Sequence, residues 1–561
     1  MNYKKSIIYS AMSLGLAFAA NAQNPEYSIN GLGRAIITNN SLSGELGNEE
    51  GVQTADVSGY NLFDLQTNLD LDSTFNASAI FRTRSPFGTS FGSLTNFEFR
   101  QFKMGGNFNG FKYQLGDIRV ELSPFTVFNA NIQGTGFESQ IFSQRREILE
   151  YENFNDGNTW LLQGASGQYG WSLGDESGLG IYAFTTRTAS TNELETPDRL
   201  LSGGRIEYQL DENLKFGINE VSLYDLVVNT SEYDYQNNVL TADLKYNRAI
   251  GDNKLSFNAE FGGSMYNFKD NINEIDTSYQ DMVVSADLGY ALTNQKVKLG
   301  FDFKRVGAVF SSPTAQSRRF NPNSSPNLFS DSKTAQTYYD QFTDETVYSN
   351  SISVNLMPYM NIFNNLNPYG DATPNRLVIG ASVASDTSIA GFDAGLRFDY
   401  GTEIVGEGGE SKRNFIVLTG GGVAHLGNLM DVNRLIDVNA GVRIENTSRT
   451  EGAEVALASM LIDFGASFEV VKKVDLLAGV KYFTANGNEF YALRDGFNLV
   501  TNFEEINVNV GEFILSGGAR VRFSKNQIFS LNYNMVNFSD NDNSDASFNL
   551  GQLFFNYTGQ F

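Results

Sequence analysis

Residues 551–561 read GQLFFNYTGQF, and they decide how the rest of the chain is to be read. Leu553, Phe555, Tyr557, Gly559 and Phe561 fall on one face of this stretch, while Gln552, Asn556, Thr558 and Gln560 fall on the other. Only Phe554 breaks the alternation. Successive side chains of a β-strand point to opposite sides, so the segment reads as a strand with one apolar and one polar face. It closes on an aromatic residue.

The same pattern recurs upstream in pairs joined by tight turns, the signature of hairpins. Phe63, Leu65, Leu69 and Leu71 alternate with Asp64, Gln66, Asn68 and Asp70. After Asp72-Ser73 the alternation resumes with Phe75, Ala77, Ala79 and Phe81. Leu240, Ala242, Leu244 and Tyr246 lead through Gly251-Asp252-Asn253 into Leu255, Phe257, Ala259 and Phe261. Phe513, Leu515, Ala519, Val521 and Phe523 lead through Lys525 into Phe529, Leu531, Tyr533 and Met535. Short turns near Asp72, Asn109, Asp211, Asp252, Asn294, Asp386, Val471 and Lys525 alternate with longer polar loops. Such loops are expected around residues 85–94, 229–235, 267–278, 401–412, 485–505 and 539–545. Counted back from Phe561, the tight turns all fall on the rim that carries both termini.

A terminal amphipathic strand ending on Phe, repeated hairpins, and short turns opposite long loops together resemble the outer-membrane β-barrels of Gram-negative bacteria. The Gln23 start and Asn-rich, Cys-free strands are similar to those of Bacteroidota. The resemblance covers nearly the whole mature chain and reaches no particular family. It implies an all-β fold: a single antiparallel transmembrane barrel of about 22 strands, with periplasmic turns and extracellular loops. It also implies that Phe561 is an assembly signal read by the barrel assembly machinery, and that lipid and lipopolysaccharide surround the wall.

Bulk properties agree with that class. Residues 1–22 have the form of a secretory signal peptide, with Lys4 and Lys5, an apolar core and Ala20-Asn21-Ala22 before Gln23. Residues 23–561 are then the barrel, with 23–57 as an N-terminal segment and first strand. No later window approaches the roughly twenty apolar residues of a membrane helix. A mean hydropathy of -0.27 fits membrane strands, half of whose residues are polar. Aromatics make up 13% of the chain. Removing Lys4 and Lys5 from the 40 basic residues leaves 38 against 64 acidic, which argues against nucleic-acid binding. The acidic excess suits solvated loops, and also divalent-cation contacts at lipopolysaccharide. With no Cys there is neither a disulfide nor a thiolate metal site.

Enzymatic readings are weak. The one imidazole is His425, near a strand end, with neither a neighbouring serine nor a matching carboxylate pair legible nearby. The run Ser539–Asp545 has oxygen side chains at alternate positions but lacks the Gly and Glu of a calcium loop, and reads as a hairpin tip. Gly420-Gly421-Gly422 has no phosphate-loop lysine after it and reads as strand glycines. No cofactor and no metal are expected.

The polar face is more informative. Arg82 and Arg84 share it, as do Lys296 and Lys298, Asp393, Arg397 and Asp399, and Arg520 and Arg522. Such charges either set the field of a water-filled lumen or pair across neighbouring strands and brace the wall. Tyr246, Tyr290, Tyr533 and Tyr557 lie on the outward face as an expected interfacial girdle. Residues 307–350, with Arg318 and Arg319, form the longest irregular stretch. They lie over the mouth, fold inward as a constriction, or reach a partner. Residues 123–173 and 357–375 resist assignment.

The leading expectation is a porin-like channel for passive diffusion of small hydrophilic solutes. Alternatives are a non-conducting structural or secretion-associated barrel binding partners through its loops, and a transporter of hydrophobic compounds with residues 24–58 as a hatch. A homo-oligomer or a surface partner protein is compatible with each.

Overall fold

The computed structural model describes residues 26–50, 52, 54–72, 74–87, 95–131, 134–152, 162–189, 198–227, 231–318, 365–368, 370–385, 391–407, 409–494 and 500–561. Twenty-two antiparallel strands among them form one sheet. The sheet closes on itself. Strand Glu26–Ser43 pairs with Ala55–Asp72 on one side and with the last strand, Phe548–Gln560, on the other. At the seam the backbone N–H groups of Gly31 and Phe561 donate to each other's carbonyls at 2.9 and 3.0 Å, and the Phe561 ring stacks on Phe63 at 5.8 Å. A Cβ on Gly31 would lie 2.3 Å from that ring, so the seam closes only over a glycine.

Burial is inverted relative to a water-soluble sheet. Leu240, Phe261, Met282 and Phe301 are each more than half exposed, whereas Asn219, Asp463, Asp475 and Ser530 are completely buried. The apolar residues sit on the outer face as a belt, and the register holds them at one level: Leu240 opposes Gly263, which opposes Met282. Apolar patches of that extent need an apolar surrounding. A closed barrel supplies one while leaving no terminal sheet edge unpaired. No helix among the described residues is long and apolar enough to cross a membrane, which has no bearing on strands. Most described turns on the terminus-bearing rim are tight, but the connection from strand Asn414–His425 to strand Ile436–Arg449 on that rim is long and includes the helical turn Leu426–Leu429, and the expected turn near Asp386 lies outside the described residues. At Phe108–Phe111 the reversal uses Asn109 and Gly110, with φ of 51° and 88°, the left-handed pair that a two-residue hairpin requires.

The wall rises higher on the opposite rim than the alternation indicates. Residues 485–505, expected as a loop, largely continue the strands Val474–Arg494 and Val500–Ser524. Above the belt the phase reverses. Asn486, Asn488, Asn507 and Asn509 point outward, while Ala485, Val508 and Val510 are buried inside with Leu457 and Phe483. A reading that keeps one apolar side throughout loses the strand where the surroundings change from lipid to water.

The N-terminal hatch is overturned. Its residues form wall strand Glu26–Ser43, a helical turn Glu45–Asn48 and the start of Ala55–Asp72. Two other segments enter the barrel. Residues 119–152 leave the rim after strand Phe111–Ile118 and include the helix Gln140–Glu152; the wall resumes at Leu162–Ser172, directly paired to Phe111–Ile118. From the same rim come residues 307–318 and 365–375. Inside the barrel, Ala315–Arg318 pairs in parallel with Phe128–Asn131. Of residues 307–350, the described part therefore folds inward, and 319–350 lie outside the described residues.

Candidate functional site

Residues 119–131 and 134–152 run round the inner wall, and their contacts trace the path. Ser123 Oγ donates to Glu260 Oε1 at 2.6 Å. Asn439 Nδ2 donates to the Phe137 carbonyl at 2.8 Å, and the Ser139 N–H to Asp463 Oδ1 at 3.1 Å. Arg520 Nη2 reaches Gln140 Oε1 at 3.0 Å, and Arg145 Nη1 reaches Gln552 Oε1 at 2.5 Å. The wall makes room with glycines. A Cβ on Gly421 or Gly441 would meet Phe137 or Thr135, and one on Gly465 or Gly479 would meet Ser139 or Ile141, all at 2.2–2.8 Å. Ile141 and Phe142 then pack on inward Leu477, Ile514, Val536 and Leu550, and Ile148 on Leu32, Tyr60 and Phe554. Phe554 is inward because a helix covers it.

The last described turn of the helix meets a cluster of arginines from the first, third and fourth strands, Arg34, Arg82, Arg84 and Arg100, with Tyr60 and Asp64 from the second. Glu152, whose carboxylate is fully buried, accepts from Arg34 Nη1 at 2.8 Å, Arg84 Nη2 at 2.7 Å and Tyr60 Oη at 2.5 Å. Its carbonyl accepts from Arg82 Nη1 at 2.7 Å, and that of Tyr151 from Arg100. Asp64 takes a bidentate pair of bonds from Arg82, both 2.8 Å, and single bonds from Arg100 at 2.7 Å and Tyr151 Oη at 2.6 Å. Burial pushes the Tyr151 phenol above its ordinary range, so it stays a neutral donor. Arg100 gets there through a register shift opposite Ile80 and Phe81, a bulge that re-aims its side chain.

Elsewhere in the lumen the predicted charges are engaged with one another. Arg397 bonds Asp302 and Asp399. Arg520 and Arg522 share Asp475 at 2.8 and 2.7 Å, and Arg522 adds Glu469 at 3.0 Å. Asp393 accepts from His425 Nε2 and Asp437 faces Nδ1, both at 2.9 Å; both contacts are hydrogen bonds only when both nitrogens carry protons. This carboxylate pair is not legible in the sequence, because Asp393 and Asp437 meet His425 only through the register of three strands. Lys298 lies on the lumen face of Val297–Val306 and Lys296 in the turn before it, both near the terminus-bearing rim and away from the arginine cluster. Arg318 ends its short inner strand, and Arg319 lies outside the described residues. Tyr246, Tyr290 and Tyr557 are outward and towards the terminus-bearing rim; Tyr533 is outward but opposes Leu553, well inside the belt. At the 539–545 tip, Asp540 Oδ1 accepts the N–H groups of Asp542 and Asn543, as in a plain turn.

A cavity of about 260 Å³ remains between residues 122–125, residues 367–371 and the wall. Arg205, Asp243, Glu260, Lys304, Asp371 and Arg397 line it, so both signs of charge face the space. Lys304 Nζ donates to Asp371 at 2.9 Å and holds that carboxyl below the usual range. The contact persists at neutral pH and is lost only as pH falls through that lowered value.

Sequence reading missed Arg34, Asp64, Arg100, Tyr151 and Glu152 as one unit. One signal was available: Ile141, Phe142, Arg145, Ile148 and Tyr151 recur at helical spacing within an otherwise strand-patterned chain.

No family model matches this chain. No curated protein matches it either. Among solved structures, the chain is similar to the unliganded ferric citrate transporter FecA at 9% identity and a TM-score of 0.43, covering 95% of this chain and 78% of that one. It is similar to Acinetobacter baumannii OccAB2 at 10% and 0.37, covering 95% and 98%. It is also similar to Pseudomonas aeruginosa OccK8 (OprE) at 9% and 0.36, covering 96% and 98%. Likeness this distant says nothing about what this chain carries.

Proposed function

We propose that the protein is an outer-membrane channel for passive diffusion of small hydrophilic solutes, exported by residues 1–22 and assembled with Phe561 as its signal. The observation that carries this reading is the closed barrel whose belt is apolar outside and whose interior is lined by ionised pairs around a cavity of about 260 Å³. Charges in a narrow aqueous lumen select solutes by sign and size. Lipid and lipopolysaccharide are the surroundings this reading requires, and Tyr246, Tyr290 and Tyr557 are its interfacial girdle.

One observation favours the second reading, a non-conducting barrel that binds partners: two inserted segments occupy the described lumen. Reconstitution in planar bilayers separates them. The channel reading predicts discrete, ion-selective conductance steps at low protein concentration; a silent bilayer with correctly inserted protein supports the scaffold.

A further inference from the structure

We propose that the cluster of Arg34, Arg82, Arg84 and Arg100 is a binding site for a small carboxylate solute, occupied in this structure by the chain's own Glu152. This rests on the channel reading, which gives solutes access to the lumen.

The geometry supports a site held by a substitutable occupant. Glu152 is the last described residue of the inserted helix and belongs to no wall strand. Its carboxylate takes three donors from two sides, Arg34, Arg84 and Tyr60, in the arrangement that would receive a free carboxylate. Arg34, Arg82, Arg84 and Arg100 form a cationic cluster on the wall backed by Tyr60, with Arg84 4.7 Å over its ring; Tyr151, whose ring lies 4.0 Å from Arg100, belongs to the helix and leaves with Glu152. Among the described residues, the wall carboxylates there are Asp64 and, 3.8 Å from Arg82 and half exposed, Glu98. The four guanidinium groups face these two, and Glu152 adds a carboxylate from the inserted helix.

That charge balance makes the change an exchange. Arg34, Arg82 and Arg100 are nearly fully buried, and buried cations stripped of a counter-charge are strongly unfavourable. An anion taking the place of Glu152 restores the counter-charge that withdrawal of the helix end removes. A tethered occupant competes at an effective concentration on the order of millimolar, so a free carboxylate of equal affinity competes in the same roughly millimolar range.

The test is amide hydrogen exchange on the full chain in lipid nanodiscs, following residues 140–152, with succinate, its uncharged isostere succinamide, and inorganic phosphate as probes. Succinate is expected to speed exchange across the helix several-fold and saturably, while succinamide leaves it unchanged. Glu152→Gln, with unchanged β-sheet circular dichroism, is expected to start at the faster rate and to lose the succinate response. Wild-type exchange indifferent to succinate overturns the proposal, whether or not the variant folds. Phosphate acting where succinate does not overturns the carboxylate assignment. A barrel silent in bilayers whose helix still responds to succinate contradicts the channel reading and leaves the site standing.

Discussion

Arg413→Ala is expected to destabilise the barrel by about 3–5 kcal/mol, the cost of breaking a buried ion pair from one side. Arg413 is nearly fully buried above the belt, and Glu403 and Glu489 beside it are fully so. Its Nε bonds Glu403 Oε1 at 2.7 Å, Nη1 bonds Glu489 Oε1 at 3.0 Å, and Nη2 bonds Glu407 Oε2 at 2.9 Å. Its backbone N–H also donates to Glu403 Oε2 at 2.8 Å. Truncation leaves two buried carboxylates facing each other across the space the guanidinium filled. Asn365 Nδ2 donates to Glu489 at 2.6 Å, so the second inserted segment is anchored to the same group. Urea unfolding in lipid vesicles, followed by tryptophan fluorescence, measures the loss. A change within 1 kcal/mol would show that water already screens the cluster.

Replacing residues 119–161 with a short Gly-Ser turn is expected to raise single-channel conductance roughly fivefold or more, because conductance follows the open cross-section. The replacement is geometrically mild. Ile118 and Leu162 oppose each other in the ladder, so a tight turn joins them without moving either strand. It removes the helix and the contacts of Val120 and Val127 with inward Leu201, Val221, Leu223, Tyr235 and Phe268. That apolar upper wall then faces water, at a cost of about 1.5–3 kcal/mol per large side chain uncovered, while the strand ladder stays intact. Unaltered conductance would mean that these residues do not narrow the path.

Period two carries the barrel, its strand number and much of the segregation of turns, because a wall between lipid and lumen imposes one alternation on nearly every strand; the long connection through Leu426–Leu429 on the terminus-bearing rim and the short reversal between Asp270 and Ile275 on the other depart from it. Two features do not follow from it. Above the belt the outer face meets water, so Asn486 and Asn507 replace Leu and Phe there and the expected loop is strand. Inside, Leu477, Ile514, Val536, Leu550 and Phe554 break the polar face because helix Gln140–Glu152 covers them. Each exception looks like noise in its own strand and becomes intelligible only once the strands are set side by side. The arginine cluster was half legible. Arg82 and Arg84 lie two apart on one face, but Asp64, Arg100, Arg34 and Glu152 reach them through strand register, a bulge and an inserted helix.

The account stands on the outer face of the wall being in contact with lipid. Because the chain has no Cys, single cysteines placed in turn from Leu240 to Tyr246 can carry spin labels without background. Accessibility to oxygen in the bilayer is predicted to peak at Leu240, Ala242, Leu244 and Tyr246, and accessibility to a water-soluble nickel chelate is predicted to be low at those positions. Labels at Leu240, Ala242 and Leu244 that meet the nickel chelate and not bilayer oxygen would contradict it.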